Sequence, residues 1–136
     1  MRISKKGLYA LQAMVVLARK HPQGVTKIRE IAAEEHIPEK FLELILWELR
    51  RARLVESERG AKGGYRLRRP PRQIFLGEIV RTIDGPLAPF GDAESLRRLV
   101  ARDRKHRAIF RVFLDVRNAA ARIMDRTTLA DVARGR

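Results

Sequence analysis

Near the start of the chain, apolar residues return every three or four positions: Leu8, Leu11, Val15 and Ala18, with Tyr9, Ala13 and Val16 widening the face. This period predicts an amphipathic helix to about Lys20, with Ser4 placed to cap it. The segment HPQG (21–24) breaks the pattern. Thr26 is suited to cap a short second helix, KIREIAAEEH, whose Ile28, Ile31 and Ala32 share one side. Pro38 fits the first turn of a third helix, where its missing N–H is not needed, and that helix should run to about Arg53. Leu42, Ile45, Leu46 and Leu49 form its inward stripe, and Lys40, Glu43, Leu44, Trp47 and Arg51 fall toward the other side. Two helices joined by a tight turn form a helix-turn-helix pattern, which an ordinary amphipathic hairpin shares.

The period then shortens to two. LVES and YRL read as short strands around ERGAKGG, whose glycines Gly60, Gly63 and Gly64 permit positive φ. Two helices followed by a basic two-stranded hairpin describe a winged helix. A slim glycine tip lets the backbone approach a partner closely, and Arg59 and Lys62 can reach phosphates or a narrow minor groove. RRPPRQ (68–73) reads as a stiff basic linker, and IFLGEIVRTIDG as a short helix closed by Gly85. Pro86 and Pro89 forbid helix in PLAPF, and the remainder from about Ala93 reads as helical. Ile109, Val112, Phe113, Val116, Ala120 and Ile123 form an apolar stripe on a helix ending near Arg126, and Thr128 caps a last turn, LADV. The expected fold class is mainly α with a small β-hairpin wing. Residues 1–72 form a winged helix-turn-helix, and 73–136 a linker helix, a long dimerisation helix and a tail. A single such stripe on a short chain finds too little partner surface within its own monomer, which points to a homodimer.

Charge narrows the partner. The 136 residues hold 30 Lys and Arg against 16 Asp and Glu, a net charge of +14. Residues 1–72 contribute +9 and residues 73–136 contribute +5. Such an excess favours a polyanion over a generically basic surface. Cysteine is absent, which excludes disulfides, thiolate metal sites and cysteine-ligated clusters. His21, His36 and His106 are scattered, so no metal and no cofactor is expected. With no nucleophile–base constellation and no phosphate loop, an enzyme is not expected. No apolar run is long enough for a membrane span and no signal-peptide core opens the chain, so a cytoplasmic protein without membrane contact is expected.

Five segments in order, MRISKKGLYAL, IREIAAEEHIPEKFLE, LVESERGAKGGYRL, LGEIVRTIDGPLAP and DRTTLADV, resemble the winged-helix regulators that include IscR, NsrR and CymR. The resemblance covers nearly the whole chain. It implies a bacterial transcription factor that binds double-stranded DNA as a homodimer through its long C-terminal helix. Carried over by position, Lys40, Phe41, Glu43 and Leu44 lie near the major groove, where Glu43 can accept from cytosine N4. Arg59, Gly60, Lys62, Gly63, Gly64 and Tyr65 match the wing, and Arg2, Lys5, Lys27 and Arg51 complete the expected DNA-contacting set. Leu44 and Trp47 stand where relatives are often polar, so base contact and packing on a neighbouring helix or partner are both open. Arg53 stands where the family often has glycine. Cluster-binding relatives carry three cysteines after the PLAP segment, where this chain runs FGDAESLRRLVARDRKHRAIFRVF with none. The expected function is therefore a cluster-free, sequence-specific regulator, acting as a repressor on a pseudo-palindromic operator. The alternatives are a module that docks a metabolic enzyme and an architectural nucleic-acid binder. A protein or small-molecule effector is left open.

Overall fold

The computed structural model describes residues 1–134 and shows seven α-helices and one β-hairpin among them. Helix α1 (Lys5–Lys20) starts where expected, with the Ser4 hydroxyl accepting the Gly7 N–H at 2.9 Å. Helix α2 (Ile28–Glu35) begins after Lys27, and Thr26 does not cap it. Thr26 is only 3% exposed. Its backbone N–H and C=O exchange two 2.8 Å hydrogen bonds with Tyr65, which holds it in an extended bridge instead.

Helix α3 (Glu39–Arg51) takes Pro38 as its N-cap instead of within its first turn, so it starts one residue later than expected, and it stops short of Arg53. Its end is a Schellman closure: the Arg53 N–H donates to the Arg50 carbonyl and the Leu54 N–H to the Leu49 carbonyl, both at 3.0 Å. Arg53 adopts φ 63°, the left-handed conformation that a glycine takes at little cost. An arginine can hold it because Leu54 and Val55, directly after it, are anchored in the core.

Strands β1 (Val55–Glu58) and β2 (Gly64–Leu67) pair antiparallel, with Val55 opposite Leu67 and Glu56 opposite Arg66. A 3-10 turn at Pro71–Gln73 leads to α4 (Leu76–Asp84), which ends at Gly85 with φ 81°. The tail, read as helical from about Ala93, is two helices, α5 (Ala93–Arg102) and α6 (Arg107–Met124). The Asp103 carboxylate accepts the His106 backbone N–H at 3.0 Å, and the Arg107 guanidinium donates to the carbonyls of Val100 and Ala101, so the chain turns there. Helix α7 (Leu129–Ala133) is closed by reciprocal bonds between Thr128 and Asp131.

The core gathers on α1, whose Ala10, Ala13, Met14 and Leu17 meet Ile31 of α2 and the α3 stripe Leu42, Ile45, Leu46 and Leu49. Ile74, Ile79 and Leu129 join the same cluster, so it draws on both sides of residue 72. Helix α6 contributes little: Ala121 is its only buried residue. Its stripe faces outward, with Val112 58% and Ile123 65% exposed in the single chain.

Candidate nucleic-acid interface

At about 100° per residue, burying Leu42, Ile45, Leu46 and Leu49 directs Lys40, Leu44, Trp47 and Arg51 away from the core. Leu44 is 47% and Trp47 51% exposed, so neither packs inside the chain. The Arg51 guanidinium lies over the Trp47 ring, 4.8 Å from its centroid. Glu43 and Arg50 are exposed beside this stripe.

Phe41 is turned elsewhere. It is half-buried, its ring edge-on to Tyr9 at 5.6 Å, and it fixes the start of α3 against α1. Lys5 lies over the Tyr9 ring, 5.8 Å from its centroid, and Arg2 is exposed just before α1. Lys6 and Glu48 form a second tie between α1 and α3. One Glu48 oxygen is sealed from solvent without a well-aligned hydrogen bond, so the Lys6 ammonium supplies the compensation a buried carboxylate needs.

The wing sorts its own charges. Arg66 crosses to Glu56 at 2.9 Å and Glu58 at 2.6 Å, and those bonds hold its guanidinium even more firmly protonated than usual. Its charge is spent inside the hairpin. Arg59 and Lys62 are exposed at the tip, and among the described residues neither forms an ion pair.

The glycines divide by role. Gly60 has φ 99° and accepts the Gly63 N–H at 2.9 Å. Gly63 and Gly64 do not use positive φ, contrary to the sequence expectation. They are needed for close approach: a β-carbon on Gly63 would strike the Glu58 carbonyl, and one on Gly64 would lie 2.5 Å from the Thr26 carbonyl oxygen. Tyr65 is half-buried and packs on the core while its backbone bridges to Thr26.

Because β2 is bonded to Thr26, the wing folds beside the start of α2 and leaves a cleft of about 520 Å³. Lys27, Arg29, Arg50 and Arg59 line it, against the carboxylates of Glu39 and Glu58. Sequence reading missed Arg29 and Arg50. Both sit at outward helix positions, but only the wing's return onto α2 places them beside Arg59. The result is an exposed helix face edged by cations, next to a basic tip. A major groove about 12 Å wide admits such a helix, and the phosphates along it attract the flanking charges.

The model of the Rrf2 family, described as an iron-dependent transcriptional regulator, matches residues 3–135. The HTH-type transcriptional regulator CymR of Bacillus subtilis is 38% identical over 136 residues, spanning 98% of this chain and 90% of the relative. The solved structure of CymR, the global cysteine regulator of B. subtilis, superposes with a TM-score of 0.83 at 37% identity, covering 98% of this chain and 97% of that one. IscR of T. potens superposes with a TM-score of 0.66 at 34% identity, over 98% of this chain and 87% of that one.

The iron in that family description has no matching donor set here. An iron–sulfur cluster is held by cysteine thiolates, and the chain has no cysteine. Among the described residues, no three His, Asp or Glu side chains converge as metal ligands would. His21 follows α1, His36 follows α2 and His106 precedes α6. No described helix is long and apolar enough to cross a membrane.

Proposed function

Since the chain belongs to the Rrf2 family of DNA-binding transcriptional regulators, we propose that it is a cytoplasmic repressor that binds a pseudo-palindromic operator as a homodimer, without an iron–sulfur cluster. One observation carries this reading. The stripe Lys40–Leu44–Trp47–Arg51 and the unpaired tip cations Arg59 and Lys62 are exposed together, on α3 and on a wing whose β2 is bridged to the lead-in to α2. In this reading α3 enters the major groove, Glu43 selects cytosine, and the wing rests on the adjacent backbone or minor groove.

The outward stripe of α6 supports the homodimer. Ile109, Val112, Val116 and Ile123 are exposed in the single chain, and Phe113 and Ala120 continue the same line half-buried. Facing a second copy would bury them at about 25 cal/mol per Å2 of apolar area. A two-fold dimer places two recognition helices symmetrically and therefore requires two inverted half-sites.

The test is to select duplexes from random fragments with the purified protein and compare the affinity of the selected sequence with that of random DNA. A ratio of about a thousand or more, with an inverted repeat in the selected sequence, is expected. A ratio near one would leave an architectural binder.

A further inference from the structure

We infer that Leu44 and Trp47 form an apolar subsite for thymine 5-methyl groups on two adjacent base pairs of each half-site. This inference rests on the function proposed above. Both side chains sit at the centre of the outward face of α3, about half exposed and outside the buried core. Lys40 stands one turn before Leu44 and Arg51 one turn after Trp47, so cations frame the two ends of the apolar pair, with Glu43 exposed beside it. A polyanion fits that frame, and an apolar protein patch would leave the frame's charges facing nonpolar surface.

Side-chain chemistry then selects the target. Leucine offers no hydrogen-bonding group, and tryptophan only one donor. In the major groove, base edges present donors, acceptors and a single apolar group, the thymine methyl. Leu44 and Trp47 are three residues apart, about 4.5 Å along the helix axis, close to the ~3.4 Å rise between stacked base pairs. They therefore address neighbouring pairs. Arg51, stacked on the Trp47 ring, holds that ring against the groove and keeps its own charge toward the phosphates.

Replacing thymidine by deoxyuridine removes only the methyl group and keeps every hydrogen-bonding position of the base. The experiment measures, at fixed salt, the affinity of the full-length protein for its selected operator and for duplexes with each thymidine replaced in turn. Replacement at two adjacent positions per half-site is expected to weaken binding about three- to tenfold, the scale of one buried methyl. Leu44→Ala should abolish the effect at one position and Trp47→Ala at its neighbour, each variant binding thymidine and deoxyuridine equally at the position whose contact it has lost. A selected operator that is bound specifically, but with no thymine in the half-site, with no sensitivity to any replacement, or with wild-type sensitivity in both variants, overturns the inference and leaves the proposed function standing. Equal affinity for selected and random duplexes overturns both.

Discussion

Asp84 fastens the end of α4 to the start of α1: its carboxylate accepts both the backbone N–H of Ser4, at 2.9 Å, and the Ser4 hydroxyl, across 80 residues of chain. The same hydroxyl caps α1 by accepting the Gly7 N–H. A β-carbon on Gly7 would collide with the Asp84 carboxylate, so glycine there is what lets the carboxylate come close. Ser4→Ala and Asp84→Asn should each cost about 1–2 kcal/mol of stability by urea unfolding. Because they break one shared arrangement, the double variant should lose less than the sum of the two. Full additivity would show that the cap and the cross-link act separately.

The two free tip cations should act differently. Lys62→Ala removes a flexible point charge, so it should weaken selected and random duplexes alike and reduce the salt slope by about one per protomer. Arg59→Ala should weaken operators with A·T-rich flanks more than others, because a guanidinium suits a narrowed minor groove. Binding isotherms across several salt concentrations separate the two. Wild-type affinity and slope in both variants would remove the wing from recognition.

The tip glycines should rank by cause. Gly63→Ala drives a β-carbon into the Glu58 carbonyl and should cost about 2 kcal/mol or more. Gly60→Ala meets open space and only the conformational penalty of φ 99°, about 1 kcal/mol. Thermal unfolding of the two variants gives the order, and equal losses would contradict the packing seen at Gly63.

Val116→Asp puts a charge in the middle of the α6 stripe. The variant should sediment as a monomer at micromolar concentration, and it should lose more affinity for DNA with two half-sites than for one. A dimer that persists at that concentration would place the interface elsewhere.

Acid should destabilise the fold in a defined direction. The Arg81 guanidinium grips Asp125 with two bonds, at 2.6 and 2.9 Å, and holds its carboxyl below the usual range. Backbone N–H groups of Ser95, His106 and Thr128 do the same for Asp92, Asp103 and Asp131. A carboxyl depressed in the native state contributes stability that is fully present above its unfolded pKa of about 4 and is lost as pH falls through the lower native value. The melting temperature should therefore fall below roughly pH 4. Asp125→Asn should remove part of that dependence, about 1 kcal/mol at most, since solvent screens the half-open pair.

Features that depend on neighbours in sequence could be read from sequence. Ser4, Gly85 and Thr128 mark helix ends with local bonds, and the α3 stripe buries itself by period alone. What escaped was set by distant partners. Thr26 has the chemistry of a cap, and only its pairing with Tyr65, 39 positions on, spends its backbone otherwise. Gly63 and Gly64 look like positive-φ residues until the Glu58 and Thr26 carbonyls are seen against them. Arg66 counts as a wing cation in any tally of charge, yet the strand register sets it opposite Glu56 and neutralises it.

The Thr26–Tyr65 bridge has a metric consequence. With β2 paired to β1 on one side and bridged to the lead-in to α2 on the other, the wing is fastened along both edges of β2. In the DNA-bound arrangement proposed above, the span from the outward face of α3 to the tip cations acts as a ruler set by the fold. If α3 and the wing contact DNA as proposed, one base pair inserted between their two segments shifts them by about 3.4 Å, a shift to be absorbed by bending or twisting the duplex.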